Sequence, residues 1–540
     1  MKACRRAVWA VAALAGAALA FESAAQQSWR SQYYPEDWTP GYSDGDGRFL
    51  HDFSYAGYHR GERPIPDDPP GLTLDVTQPP YNADPTGETD STAAIQVALD
   101  VAGAMGGGIV YLPAGTYRVT PRSGRNAALR IAHSGVVLRG GGPEATFLFN
   151  DSARMRGTAI IRVQPAEGGG WYSPLPRTTK SLAREATAPA RHVFVEDTRG
   201  VSAGDWLVLT HDVTEAFVAA HAEHLVEDWA DRLPGVAFYR QVVAVDPDTG
   251  RIDIDIPLRY DLKTRDDARL YRVAPHIEEV GIEDLAIGNR EHPGDEFGFE
   301  DYRDEGTAAY DVHSSYAVVL RHVVNGWVRR VHTYRPEVNE GPHHLVSNGL
   351  VLRYCRGITV RACDFRHAQY RGGGGNGYGF VLRGNDCLVQ DCYGTELRYA
   401  YDFKSMYANG NVIHRSVADG ATSDFHMHLS VSNLMDNLEL LDGAHFNARE
   451  RPYTSTPHGI TTDQSVFWRP YGTGEKDYLI NVRGQSGNSK IIGSHGERTH
   501  IRGLEEAHDG VYNEGEGRGA SLVPASLYED QLLRRLDAGE

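Results

Sequence analysis

The sequence predicts an all-β solenoid, a single chain coiled into stacked turns of short strands, and two observations predict it. The first is self-similarity. Segments 316–332, 348–364 and 378–394 (YAVVLRHVVNGWVRRVH, NGLVLRYCRGITVRACD and YGFVLRGNDCLVQDCYG) align, each with a V-L-R strand, a turn through Asn or Gly and a second short strand. SGVVLRGGG (134–142) is an earlier member, and 401–417 and 423–439 continue the series at offsets of 32, 30, 21 and 22 residues. Repetition of one structural unit at this scale is the signature of a solenoid. The second observation is that apolar residues in these units alternate, without the 3.6-residue period that a helical solenoid needs.

The elements follow in chain order. Lys2, Arg5 and Arg6 precede an apolar run from Ala7 to Ala20 that is too short to span a bilayer. With small residues at Ala20 and Ala25 for cleavage, residues 1–25 read as an export signal, so the protein is expected to be secreted or periplasmic. Residues 26–80 are rich in Tyr, Asp, Gly and Pro, lack any period, and predict an extended arm over a larger body. In YNADPTGETDSTAAIQVALDVAGAMGGGIVYLPAGTYRV (81–119), Asp90 or Ser91 caps a helix with Ile95, Ala98, Leu99 and Ala102 on one face. Glycines from Gly106 end it, and strands at 109–112 and 116–119 turn at PAG.

This segment resembles the N-terminus of the pectate-lyase-like superfamily. There, a G-x-T-D-(S/D)-T-x-A-I-Q helix closes the open end of the coil and G-G-x-V-x-(L/F)-P-x-G-x-Y follows. Gly87, Thr89, Asp90, Thr92, Ala94, Ile95, Gln96, Gly107, Gly108, Val110, Pro113, Gly115 and Tyr117 match that pattern. The resemblance implies a single-stranded right-handed parallel β-helix with an N-terminal capping helix, here over residues 81–505. Lyases, hydrolases, epimerases and phage tailspikes share that fold, so it implies no single activity.

Residues 165–275 break the repeat. GDWLVLTHD is strand-like, 215–233 has helical spacing, and QVVAVDPDTGRIDIDIPL reads as a hairpin, which together predict an inserted excursion packed on the coil. The tail, 506–540, contains PASLYEDQLLRRL (524–536) with a capping box of Ser526 and Glu529. Tyr528, Leu532 and Leu536 are expected to face the protein and cover its far end.

A net charge of −18 argues against nucleic acid as a partner but leaves room for an anionic ligand at a locally basic groove. No later run approaches a membrane span, so no membrane partner is expected; oligomeric state is left open. Cys355, Cys363, Cys387 and Cys392 are spaced unlike a zinc ribbon, and export permits a disulfide among them.

Stacking the repeats places Leu320, Leu352, Leu382, Phe403 and Phe425 in one inward column and Arg321, Arg353, Arg383, Lys404 and His426 in the next outward one. Neighbouring turns lie ~4.8 Å apart, so such a row of cations repels itself unless an anion sits beside it. Asp402 and Asp424 join this face. They can share a Ca²⁺ ion, act as an acid and nucleophile pair, or hold Lys404 and His426 by charge. A second outward column reads Arg361, Gln390, His414 and Asp436, with Arg415 beside it. Tyr399, Tyr401 and Tyr407 are candidates for stacking on sugars or donating a proton. His426 and His428 can chelate zinc if a third ligand joins them. The GGGGNGYG loop (372–379) lets backbone approach a ligand closely.

The expected function is cleavage of a polysaccharide, with β-elimination of a uronate polymer first. Lys404, His426, Asp402, Asp424, His414 and Tyr401 are the catalytic candidates, and Arg353, Arg383, Arg415, His428 and Tyr407 the substrate-binding ones. Hydrolysis or intramolecular glycosyl transfer by the paired Asp is the alternative, and a non-catalytic glycan-binding coil the third. Polygalacturonase-type N-T-D and G-H-G motifs and the pectate-lyase W-x-D-H signature are missing.

Overall fold

Each turn of the coil contributes up to three strands, bent at corners that the sequence supplies one residue at a time. In a computed structural model describing residues 27–122, 124–221, 229–230, 233–451, 458–485, 487–507 and 510–539, one turn runs Asn348–Arg356, Thr359–Arg361, Asp364–Arg366. The next runs Tyr378–Asn385, Leu388–Gln390, Tyr393–Thr395. Strands of successive turns pair in parallel, and the fold is a right-handed parallel β-helix. Asp391, Arg415 and Asn437 occupy equivalent corners with φ of 54°, 45° and 54°. A single left-handed residue turns the chain between the second and third strands, and Asp and Asn tolerate that conformation best.

The inward column forms as its alternation dictates. Leu320, Leu352, Leu382, Phe403 and Phe425 are register partners in that order and are all buried. Phe365, Phe380 and Tyr401 extend the stack, with Phe365 and Phe380 rings 4.8 Å apart and nearly parallel. Cys355, Cys363, Cys387 and Cys392 are free thiols buried in this core, where they pack as small apolar groups. The disulfide that export would permit among them is not formed.

The N-terminal end is closed by the helix Thr92–Ala104, whose buried face is Thr92, Ile95, Ala98, Leu99 and Ala102. Asp90 rather than Ser91 receives the Thr92 N–H, at 2.9 Å. The expected export signal (1–25) lies outside the described residues.

The break in the repeat is a separate six-stranded antiparallel sheet between Lys180–Ser181 and Arg269–Tyr271, including the hairpin Pro234–Asp246 and Arg251–Ile254. Of the helical stretch expected at 215–233, Glu215–Ala220 is helical, and 222–228 and 231–232 lie outside the described residues. The apolar core of this sheet is continuous with Met406, Leu429, Val431 and Ile460 of the coil.

The C-terminal helix Leu527–Asp537 starts at Ser526, whose Oγ accepts the Glu529 N–H at 3.1 Å. Its buried face is Leu527, Tyr528, Gln531 and Arg535, one residue off the expected stripe, and Leu536 is 42% exposed. The difference has a polar cause: Arg535 turns inward to Ser54 and Glu62 of the arm. Instead of covering the far end, the helix lies on the side of the coil, clamped by the arm through Tyr34, Phe53 and Ala56.

Candidate functional site

The repeat carries polar residues to one side of the coil at the turns Tyr378–Asn385, Tyr399–Lys404 and Thr422–Met427. Asp402 and Asp424 are register partners, as are Phe403 and Phe425, but Lys404 pairs with Met427. One extra residue is therefore accommodated opposite Lys404. This bulge corrects the expectation that His426 sits directly over Lys404, and it re-aims His426 towards the carboxylates.

The result is a layered site. At its floor both Asp402 and Asp424 have fully buried side chains. Arg451 holds Asp424 with NH2 2.5 Å from Oδ2, and His426 Nδ1 lies 3.2 Å from the same oxygen. His426 Nδ1 is also 3.9 Å from Asp402 Oδ1 and 3.5 Å from the Tyr378 hydroxyl. Above this floor, Tyr378, Arg398, Lys404, His426, His428, Arg451 and His458 line a cleft of about 560 Å³. Its far wall is Phe299, Tyr302 and Gly373–Gly375. Lys404 Nζ stands 4.5 Å from the centre of the Tyr378 ring. A Cβ at Gly375, where φ is +84°, would come within 3.3 Å of that ammonium, so the glycine loop is a close lid on Lys404.

The charges divide the two carboxylates. Burial pushes Asp402 well above the usual carboxylate range, Lys404 pulls it back, and the Asp424 charge raises it further. Burial acts on Asp424 as well, but Arg451 and His426 outweigh it and hold its carboxyl below the usual range. Their surroundings thus push the two apart, Asp402 towards its neutral form and Asp424 towards its ionised one. Burial, then Lys404, lowers His426 to about 3, which keeps the imidazole neutral. Burial also lowers Lys404 and raises the Tyr378 phenol.

Asp402, Asp424 and His426 place one ligand atom each within 4.8 Å of the others. They do not fit the Ca²⁺ ion considered for them. Calcium takes six to eight oxygen ligands, and the Oδ2 of Asp424 is already held by the guanidinium of Arg451, with the Lys404 ammonium beside the pair. His428 is not in this group: past the bulge, with φ of 57°, its ring stands against Trp229 and His458. EDTA is therefore expected to leave turnover unchanged, and a loss restored by added calcium would overturn this reading.

Several sequence candidates lie elsewhere. Tyr401 points inward, and its hydroxyl donates to the carbonyls of Cys392 and Val417 in the core; two residues before Phe403, it shares that residue's inward parity. Tyr407 is 2% exposed, with Tyr354 stacked on it at 4.8 Å, so it supports Arg353 and Arg383 from below rather than meeting a ligand. His414 and Arg415 belong to a different face. His414 is buried under the C-terminal helix beside Ser526, and Arg415 pairs with Asp391 and Glu529. Arg353 and Arg383 remain on the face of the site, towards the N-terminal end.

Asp436, the register partner of His414, caps that helix by accepting from Ser526 Oγ at 2.6 Å and the Tyr528 N–H at 2.8 Å. Burial nevertheless pushes it up to about 7. A folded-state value above the unfolded one means stability present at low pH and lost as pH rises from about 4 to about 7, by up to about 4 kcal/mol. Asp436→Asn should therefore melt higher than wild type at pH 8 and close to it at pH 4. Equal melting temperatures at pH 8 would contradict this.

Sequence reasoning missed Tyr378, Arg398, Arg451 and His458. Tyr378 is the register partner of Tyr399, but both stand three residues before Val381 and Asp402, so strict alternation turns them inward and hides them; the strand irregularity between Tyr399 and Asp402 is not legible in the sequence. Arg451 and His458 come from a loop outside the repeats, where no period points to them.

Residues 79–204 match the family described as Rhamnogalacturonase A/epimerase, pectate lyase-like. Mannuronan C5-epimerase AlgE1 of Azotobacter vinelandii is 40% identical over 77 residues, which is 14% of this chain and 6% of that protein. Alginate lyase 7 of the same organism is 41% identical over 83 residues, 15% of this chain and 10% of that one. The chain thus spans no more than 10% of the length of either relative. Among solved structures, the A-module of Azotobacter vinelandii mannuronan C-5 epimerase AlgE6 aligns over 84% of this chain and 99% of its own, at 14% identity and a TM-score of 0.32. Over residues 79–204 the chain is thus similar to the pectate-lyase-like superfamily. These matches define no narrower family, and the family match ends before the first residue of the cleft.

Proposed function

We propose that this protein is a carbohydrate-active enzyme that abstracts the C5 proton of a uronate residue and cleaves the polymer by β-elimination. One observation carries the reading: His426 Nδ1 lies 3.2 Å from the buried Asp424 Oδ2, which Arg451 holds ionised, in a cleft that Arg398, Lys404 and Arg451 line. With Nδ1–H given to that carboxylate, in preference to accepting from Arg451 NH1 at 3.3 Å, Nε2 is the basic nitrogen. An imidazole oriented by a buried carboxylate is the arrangement of a general base, and a substrate carboxylate bound at Lys404 would offset the Lys404 charge that, after burial, lowers His426.

The remaining parts follow from position. Lys404 and Arg398 receive the substrate carboxylate and the negative charge that develops on it when the C5–H bond breaks. His426 takes that proton, the C–H electron pair forms the C4–C5 double bond, and the C4–O bond breaks. The departing oxygen takes its proton from solvent, because Tyr378, 1% exposed, packs under Lys404 and beside His426 rather than reaching the sugar. Asp402 and Asp424 hold His426 and Lys404 from below. Their complete burial disfavours the hydrolase alternative, because a glycosidase acid and nucleophile must both touch the sugar.

Epimerisation begins with the same proton abstraction and ends with reprotonation from the opposite face. The relatives named as mannuronan C5-epimerases keep it as the second reading. The expected export signal would bring the enzyme to such polymers outside the cytoplasm. The test is incubation with mannuronan, other polyuronates and neutral glucans while following unsaturated-uronate absorbance, reducing ends and C5 configuration. Absorbance rising with reducing ends on a polyuronate supports elimination, and changed configuration without cleavage supports epimerisation. Reducing ends alone would return the hydrolase.

A further inference from the structure

Five turns on the N-terminal side of the cleft each present an arginine on the same face. Arg130 and Arg162 are register partners, Arg162 pairs with Val319 two residues before Arg321, and Arg321, Arg353 and Arg383 are aligned in sequence. Lys404 continues the row into the cleft, one residue past the Leu382–Phe403 pair. At ~4.8 Å per turn the row is roughly 20 Å long.

Among the described residues these arginines contact neutral groups. Arg130 donates to Pro165 O at 3.0 Å, Arg162 to Asn126 O at 3.4 Å, Arg321 to Gly169 O at 2.9 Å and Arg383 to Ser405 Oγ at 3.0 Å. Arg353 lies over the Tyr354 ring, 5.2 Å from its centre. Elsewhere this acidic chain pairs its arginines readily, as in Arg330 with Asp284 or Arg366 with Asp364. In the row the neighbours of an arginine are other arginines: burial, then Arg321, Arg130 and Arg353, lowers Arg162. The same field acts on Tyr407, whose phenol is held below its ordinary value by Arg383 and Arg353 although burial opposes this. On the C-terminal side Asp424 pairs with Asn447, Asn447 with Asn481 and Asn481 with Arg502, so two neutral turns separate the cleft from the next cation of that column.

Uncompensated like charges at this pitch are unfavourable in the absence of an anion. We infer that the row Arg130, Arg162, Arg321, Arg353, Arg383 is a binding track for the polyanionic substrate, carrying its chain from the cleft towards the N-terminal end of the coil. This rests on the uronate reading of the cleft and extends it to a substrate longer than the cleft itself. Arg130, Arg162 and Arg321 thereby become specificity residues for chain length.

The test is calorimetric titration of wild type and of an Arg162→Gln, Arg321→Gln double variant with uronate oligosaccharides of graded length, at low and high salt. Wild-type affinity is expected to rise with length and fall with salt. The double variant should lose the rise, binding the longest oligosaccharide about tenfold more weakly or worse, and the Arg162→Lys, Arg321→Lys pair should recover most of it. Equal affinities for the longest oligosaccharide in wild type and in the folded Gln variant would overturn the track. If the Gln variant fails to fold, salt-insensitive binding of that oligosaccharide to wild type would do the same. Length-dependent, salt-sensitive binding without any product would leave the track standing and remove the elimination reading. Product with length-independent binding would do the reverse.

Discussion

Lys404→Ala should lower turnover of a uronate polymer by about a hundredfold to a thousandfold while leaving the protein folded. The size follows from removing one pre-positioned charge from the place where the enolate charge develops. The folding half follows from the direction in which Asp402 is shifted. Removing a cation beside a buried carboxylate normally leaves an uncompensated charge, but burial already holds Asp402 well above the usual range. Losing Lys404 shifts Asp402 further towards its neutral form, and Arg451 still neutralises Asp424. The measurement is unsaturated-uronate absorbance at saturating substrate, alongside a melting curve. A near-wild-type rate would remove Lys404 from the mechanism. A loss of rate accompanied by a collapse in melting temperature would assign it a structural role.

What could be read from the sequence here, and what could not, divides along the repeat. Strands that alternate and recur show their register openly, which is why Leu320 through Phe425, and Arg361, Gln390, His414 and Asp436, stack as their alignment indicates. The same logic brings Asp402, Asp424, Lys404 and His426 to one place. It fails at a single inserted residue, because a bulge after Phe425 changes no composition and breaks no alternation, yet it moves His426 from a stack on Lys404 to a bond with Asp424. It also fails for depth. Outward parity says that Asp402 leaves the core of the coil, but not that Arg451, delivered by a loop some 25 residues later, will bury it again. His414 was misjudged for a similar reason: its face is outward, but the C-terminal helix returns over a hundred residues later to cover it.

The larger effect on stability is expected at Asp386. Its carboxylate is fully buried, with Oδ2 2.9 Å from Arg240 NH1 and Oδ1 2.9 Å from Arg259 NH2. Both arginines come from the insertion, Arg240 from the strand Pro234–Asp246 and Arg259 from the segment after Arg251–Ile254, and both are themselves fully buried. Arg259 also reaches the carbonyl of Asp52 in the arm at 2.5 Å, and the Asp386 carbonyl accepts from Gly57 N–H. One residue at a corner of the coil, with φ of 50°, therefore ties together arm, insertion and solenoid. Burial alone would raise its carboxyl, but Arg240, Arg259 and Arg356 hold it below the usual range, while burial pulls Arg240 down to about 10.

Asp386→Ala removes the shared counter-charge and leaves two guanidiniums buried without one, a change that costs about 3–5 kcal/mol or more. Replacement by Asn, which keeps an acceptor but no charge, should fall between. The loss should spread to the site, because Met406 and Leu429, close in sequence to Lys404 and His428, are seated in the core of the inserted sheet. We therefore expect Asp386→Ala to unfold at markedly lower urea concentration and to be cleaved early by protease within residues 180–271. Its turnover should fall even at temperatures where the coil retains its circular dichroism. A variant with wild-type urea midpoint would mean that the insertion is held by its apolar contacts with the coil, and that the buried charges between them contribute nothing net.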